Sequence, residues 1–116
     1  MLNNKIIDLL QSMIDAINVA ENTIKETTIE SFNFNEKDQF AVIRSLEVLG
    51  GVAKILPKEI IDLKPDLEWD LIIKTRDKLS HVYVAIEGDI LWHTVINDLP
   101  ELKQGILEII EKINNE

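Results

Sequence analysis

An all-α fold, an antiparallel bundle of four or five helices, is what this sequence predicts, and three observations predict it. Of 116 residues, 46% are hydrophobic but only 5% aromatic, with three prolines and four glycines, a composition that suits packed helices better than a many-turned β-sandwich. Apolar side chains recur at spacings of three and four through most of the chain. The connections between these periodic stretches are short, with no internal repeat, linker or low-complexity segment, so residues 1–116 read as one domain with one core.

The elements follow in order. From Leu2 to about Lys25, Ile6, Leu10, Met13, Ile17 and Ile24 share a face, with Asp8, Asp15 and Glu21 between them. Residues 26–35 lose the period and are rich in Thr, Ser and Asn, which bond their own backbone, so they read as a connection. Asn35 is placed to cap the next helix and Glu36 and Asp38 favour its start, after which Phe40, Ile43, Leu46, Gly50 and Ala53 line one face up to Pro57. Glycine inside a helix costs propensity, and at the Gly50-Gly51 pair the expected compensation is close approach by a neighbouring helix. Pro57 and Pro65 bracket a short turn of helix or loop, and Asp66 is placed to cap a helix predicted over about Leu67 to Ile86. Gly88-Asp89 makes a weak break. Ile90, Leu91, Thr94 and Val95 continue helically, and Asp98-Leu99-Pro100 restarts a last helix carrying Leu102, Ile106, Ile109, Ile110 and Ile113.

Composition also excludes functions. With 12 Lys plus Arg against 21 Asp plus Glu, the net charge of −9 argues against coating nucleic acid through the whole surface, and leaves room only for a local basic patch. The absence of cysteine removes disulfides, thiolate zinc sites and cysteine nucleophiles, and suits a reducing compartment. No apolar run approaches the roughly 20 residues of a membrane span, and Asp8 interrupts what would be a signal peptide's apolar core, so the chain reads as cytoplasmic, with no membrane partner. Only two histidines are present, the acidic residues Asp66, Glu68 and Asp70 suit the start of a helix, and no Gly-rich phosphate loop occurs. Neither a metal nor a cofactor is expected.

One segment, residues 68–83, looks chemical. Lys74, Arg76 and Lys78 fall within five positions and His81 follows, a positive spot in an acidic chain. At about 100° per residue, Trp69, Ile72, Ile73, Leu79, Ser80 and Tyr83 lie within about 60° of Arg76, whereas Lys74, Asp77, Lys78 and His81 lie on the far side. Arg76 thus sits in an apolar stripe. A guanidinium there needs a carboxylate, for which Glu47 is a candidate, or a phosphate. Asp77 stands one turn before His81, where it can fix the imidazole tautomer and favour its charged form, although the pair also fits an incidental surface contact. Tyr83 fits a core tyrosine and a site residue equally well.

Arg76-Asp77-Lys78-Leu79-Ser80-His81-Val82-Tyr83 resembles the R-x4-H-x-Y signature of HepT-like toxins in the HEPN superfamily. Trp69 upstream, Arg44-Ser45-Leu46-Glu47-Val48-Leu49-Gly50 and the run from Ile90 to Leu102 resemble further elements of that family in the same order. Two positions depart from its pattern: Gly51 stands where Glu is frequent, and Asp77 where Asn is common. The resemblance implies a HEPN-like helical bundle acting as a metal-independent endoribonuclease and a homodimer, with the two motifs meeting at an interface cleft. It further implies a minimal nucleotidyltransferase antitoxin as partner, one that transfers AMP to the motif tyrosine, here Tyr83. Arg76 and His81 would then be catalytic, with Asp77 and Ser80 in support.

The residues suit that chemistry. Cutting RNA without metal takes a base for the 2′-OH, a cation for the phosphorane and an acid for the leaving 5′-oxygen. Histidine suits the proton transfers, and an arginine fork grips two phosphate oxygens. On an ideal helix Arg76 and His81 point roughly 140° apart, so joint action needs a distorted turn, long reach or pairing across a two-fold axis. Two other readings remain open from the sequence: a non-catalytic subunit presenting a nucleotide or substrate to a nucleotidyltransferase, and a structural bundle in which Arg76 forms only an ion pair.

Overall fold

The computed structural model describes residues 2–81 and 88–116, with side chains described for residues 4–77 and 88–116. Four long helices, α1 (Leu2–Lys25), α3 (Glu36–Ile55), α5 (Trp69–His81) and α7 (Leu99–Asn114), are joined by shorter pieces, α2 (Ile29–Phe32), α4 (Lys58–Ile61) and α6 (Gly88–His93), and by a π-helical turn, Thr94–Asp98. Helix α3 is the middle of the bundle: α1 and α5 pack against different sides of it, and α7 lies on α1. The all-α fold is as the sequence predicts, and among the described residues no strand occurs.

The core forms where the apolar spacing points inward. Leu10, Met13 and Ile17 of α1, Val42 and Leu49 of α3, and Ile106 and Ile109 of α7 are fully or almost fully buried. Asn35 caps α3 as expected, its Oδ1 accepting from the Asp38 N–H at 3.1 Å. Phe40 departs from the reading: it is 63% exposed, because the buried arc of α3 turns toward Val42, Ser45 and Leu49 to meet α1.

Residues 26–35 are more than a connection. Thr28 caps the single turn α2, accepting from the Ser31 N–H at 3.2 Å, and the turn buries Phe32 completely against Trp92, with ring centroids 5.6 Å apart. Asn33 then donates to Asp89 at 2.7 Å and lies where a Cβ on Gly88 would have to go. The start of α6 is therefore clasped to α2, which fixes where the chain re-enters the bundle after α5.

The helix predicted from Leu67 begins at Trp69, and its expected extension over 82–86 lies outside the described residues. Tertiary contacts move the start. Leu67 turns aside to pack on α7 at Gly105, where any Cβ would stand 2.6 Å from its Cδ1. The Trp69 indole N–H donates to the Lys64 carbonyl at 2.9 Å, and Lys64 pairs with Glu108 at 2.7 Å. Their hydrogen bond holds the Lys64 ammonium above its usual pKa and the Glu108 carboxyl below its own, and the two shifts agree. Asp98-Leu99-Pro100 opens the last helix as expected: α7 starts at Leu99 with Pro100 in its first turn, where a missing N–H costs little, and the π-helical turn Thr94–Asp98 leads directly into it.

Candidate active site

Arg76 is placed by a glycine. Helix α5 crosses α3 at Gly50, and a Cβ there would overlap the Arg76 Cβ, lying also 2.7 Å from its Cγ and 2.9 Å from the Ile72 carbonyl oxygen. The stem of the arginine thus takes the space a side chain on α3 would fill, which is the close approach expected at the glycine pair. Gly51 differs: among the described residues, no atom outside its own stretch of helix lies within 4 Å of a Cβ built on it.

From that anchor the guanidinium reaches outward, with 36% of the side chain exposed. Its Nη1 donates to Asp77 Oδ1 at 3.2 Å, and the same oxygen stands 3.8 Å from Lys54 Nζ of α3. Glu47, the partner considered from sequence, is not the one: the neighbouring residue supplies the carboxylate. On an ideal helix Asp77 lies on the far side from Arg76, but the long arginine side chain bends around to it. Trp69 and Ile72, set in the same stripe, do face inward, Trp69 being 5% exposed.

The remaining motif residues divide. Lys74 is exposed, away from Arg76. The backbone of Ser80 and His81 continues α5, while their side chains, with all of Tyr83, lie outside the described residues. Lys54 is the residue the sequence did not single out. It stands one turn beyond Gly50 on α3, a signal that becomes readable only once Gly50 is known to touch Arg76.

A groove of about 310 Å³ opens between α5 and the run from α6 into α7, floored by Leu46, Leu49 and Leu102. Glu68, Asp98 and Glu101 also line it and repel phosphate, so the groove does not suit an anionic ligand. Among the described residues no three His, Asp or Glu side chains could hold a metal ion, the Asp66, Glu68 and Asp70 trio included. Among the same residues no helix is long and apolar enough to cross a membrane.

Comparison with known proteins points one way. The family model described as "Ribonuclease HepT-like" matches residues 13–109. A Thermococcus cleftensis protein named "Probable ribonuclease HepT" is 38% identical over 105 residues, covering 90% of this chain and 94% of its own. A Methanocaldococcus jannaschii protein named "Putative RNase MJ0127" is 39% identical over 109 residues, covering 94% and 87%. A Caldanaerobacter subterraneus protein, "Putative RNase TTE0752", is 35% identical over 89 residues, covering 77% and 80%. No solved structure matches the chain.

Proposed function

The chain belongs to the HepT-like ribonuclease family, and from that premise we propose that it is a metal-independent endoribonuclease toxin that cuts RNA with Arg76 and His81. The observation that carries this reading is the state of Arg76. A purely structural ion pair in the core would enclose the guanidinium, whereas this side chain is anchored at its stem, 36% exposed, and paired, among the described residues, with a carboxylate that is itself 41% exposed.

In the proposed reaction the 2′-oxygen forms a bond to phosphorus as a histidine takes its proton. Arg76 neutralises the charge growing on the phosphorane oxygens. The bond from phosphorus to the 5′-oxygen breaks, and a protonated histidine supplies the leaving group's proton, so the products are a 2′,3′-cyclic phosphate and a free 5′-OH. One chain offers one motif histidine, so His81 of the partner subunit in a homodimer fills the second role. Purified protein is expected to sediment as a dimer at micromolar concentration and to cut single-stranded RNA equally well in EDTA. Loss of cleavage in EDTA with recovery in Mg2+ overturns the mechanism, and monomer alone overturns the two-chain arrangement.

The same reading assigns control to Tyr83. A minimal nucleotidyltransferase antitoxin directs the phenol oxygen to the α-phosphorus of ATP, pyrophosphate leaves, and the resulting phosphodiester places negative charge and an adenosine in the way of substrate. Incubated with such a transferase and ATP, wild type is expected to gain mass in steps of AMP, and Tyr83→Phe to gain none while remaining toxic. Equal labelling of both forms moves the acceptor elsewhere.

A further inference from the structure

The carboxylate of Asp77 holds two cations from two helices at once. Arg76 Nη1 of α5 lies 3.2 Å from its Oδ1, and Lys54 Nζ of α3 lies 3.8 Å from the same atom. The glycine contact creates this arrangement: because α5 meets α3 at Gly50, Lys54, one turn further along α3, comes level with Asp77, one residue past Arg76. All three side chains reach water, with 57% of Lys54, 36% of Arg76 and 41% of Asp77 exposed. Exposed ion pairs hold weakly and are readily exchanged.

We propose that Lys54 is a second phosphate-binding residue of the Arg76 site, and that Asp77 is a resident anion that keeps the two cations together until an RNA phosphate replaces it. The proposal rests on the reading of Arg76 as a phosphate-binding group. A phosphodiester presents two anionic oxygens on one phosphorus, so it can take the fork of Arg76 with one and the ammonium of Lys54 with the other, where Asp77 offers both cations a single oxygen. Charge balance adds to the case. In a chain of net charge −9, RNA is repelled by most of the surface, and two adjoining cations from different helices give a local exception that a lone arginine would not. Asp77 in turn spares the free protein two unpaired positive charges side by side, and weakens RNA binding by competing for them.

The test is direct binding of a fluorescein-labelled single-stranded oligoribonucleotide to the intact protein carrying His81→Ala to suppress cleavage, followed by anisotropy across a range of salt. Lys54→Ala is expected to weaken binding about tenfold at low salt and to flatten the dependence of log K on log salt by about 0.7, the loss of one phosphate contact to a single strand. Lys54→Arg should restore both. Asp77→Asn should tighten binding severalfold, and the gain should shrink when Lys54 is already alanine. Lys54 is exposed, so its variants are expected to keep the helical circular dichroism of the parent. Unchanged affinity and slope in Lys54→Ala, with both lowered in Arg76→Ala, overturn the role of Lys54 and leave that of Arg76 standing. If Arg76→Ala changes neither, or the parent binds no RNA, the reading of the site falls and the proposal with it.

Discussion

Replacing Arg76 with alanine is expected to slow RNA cleavage by about 10²–10³-fold, the loss that follows when one preorganised donor to a developing oxyanion is removed, equivalent to about 2.7–4 kcal/mol. The fold should survive, because alanine keeps the Cβ that lies against Gly50, and what it removes is the rest of a side chain that is 36% exposed, with its bond to Asp77. Arg76→Lys keeps the charge but not the planar fork, and should recover only part of the rate. His81→Ala is expected to fail comparably, by about 10²–10⁴-fold, since it removes proton transfer. Single-turnover cleavage of a labelled RNA, measured beside far-ultraviolet circular dichroism, separates chemistry from folding. Residual activity within a factor of ten of wild type in Arg76→Ala, by the convention that tenfold is about 1.4 kcal/mol, would show that the charge on the phosphorane is neutralised by some other group.

The second large effect is expected from two adjacent glycines that respond in opposite senses. Gly50→Ala gains up to about 1 kcal/mol of helix propensity but must push α5 away from α3, since its Cβ overlaps the Arg76 Cβ and stands 2.9 Å from the Ile72 carbonyl oxygen, neither of which is the free end of a flexible side chain. Overpacking of this kind costs about 1–3 kcal/mol, and overlap with backbone belongs at the upper end, so the variant should be less stable by about 2 kcal/mol. Gly51→Ala meets no atom of another element within 4 Å among the described residues and should be more stable by up to about 1 kcal/mol. Urea unfolding midpoints at unchanged slope read the difference. Equal stability of the two variants would mean that α3 and α5 do not meet at Gly50. The displaced α5 in Gly50→Ala also carries Arg76 with it, so cleavage should fall in that variant and persist in Gly51→Ala.

Much of this was legible along the chain. The three-and-four spacing of Ile6, Leu10, Met13 and Ile17 gave α1 its length and its buried face, and Asn35 with its acidic followers gave α3 its start, because periodicity and capping are local properties. Phe32 was not legible as core, since a single capped turn leaves no periodic signature and its burial depends on Trp92, far along the chain. The late start of α5 had the same origin: Leu67 is recruited by Gly105 and Trp69 by the Lys64 carbonyl, contacts that outweigh the local preference for helix.

By itself, then, the sequence determined an all-α bundle, a family resemblance that the comparisons support, and Arg76 as a guanidinium set in an apolar stripe that must find an anion. It could not say which anion. Glu47 was as reasonable as any carboxylate from spacing alone, because the partner of a long side chain depends on how two helices cross. Only the tertiary structure decided that: Gly50 lets α5 close onto α3, the stem of Arg76 fills the gap, and Asp77 and Lys54 are brought level beside its head. Helical spacing fixes which residues share a face, whereas the depth and angle at which two faces meet are set by packing between segments distant in the chain, and it is that packing which brings the two cations of the site together.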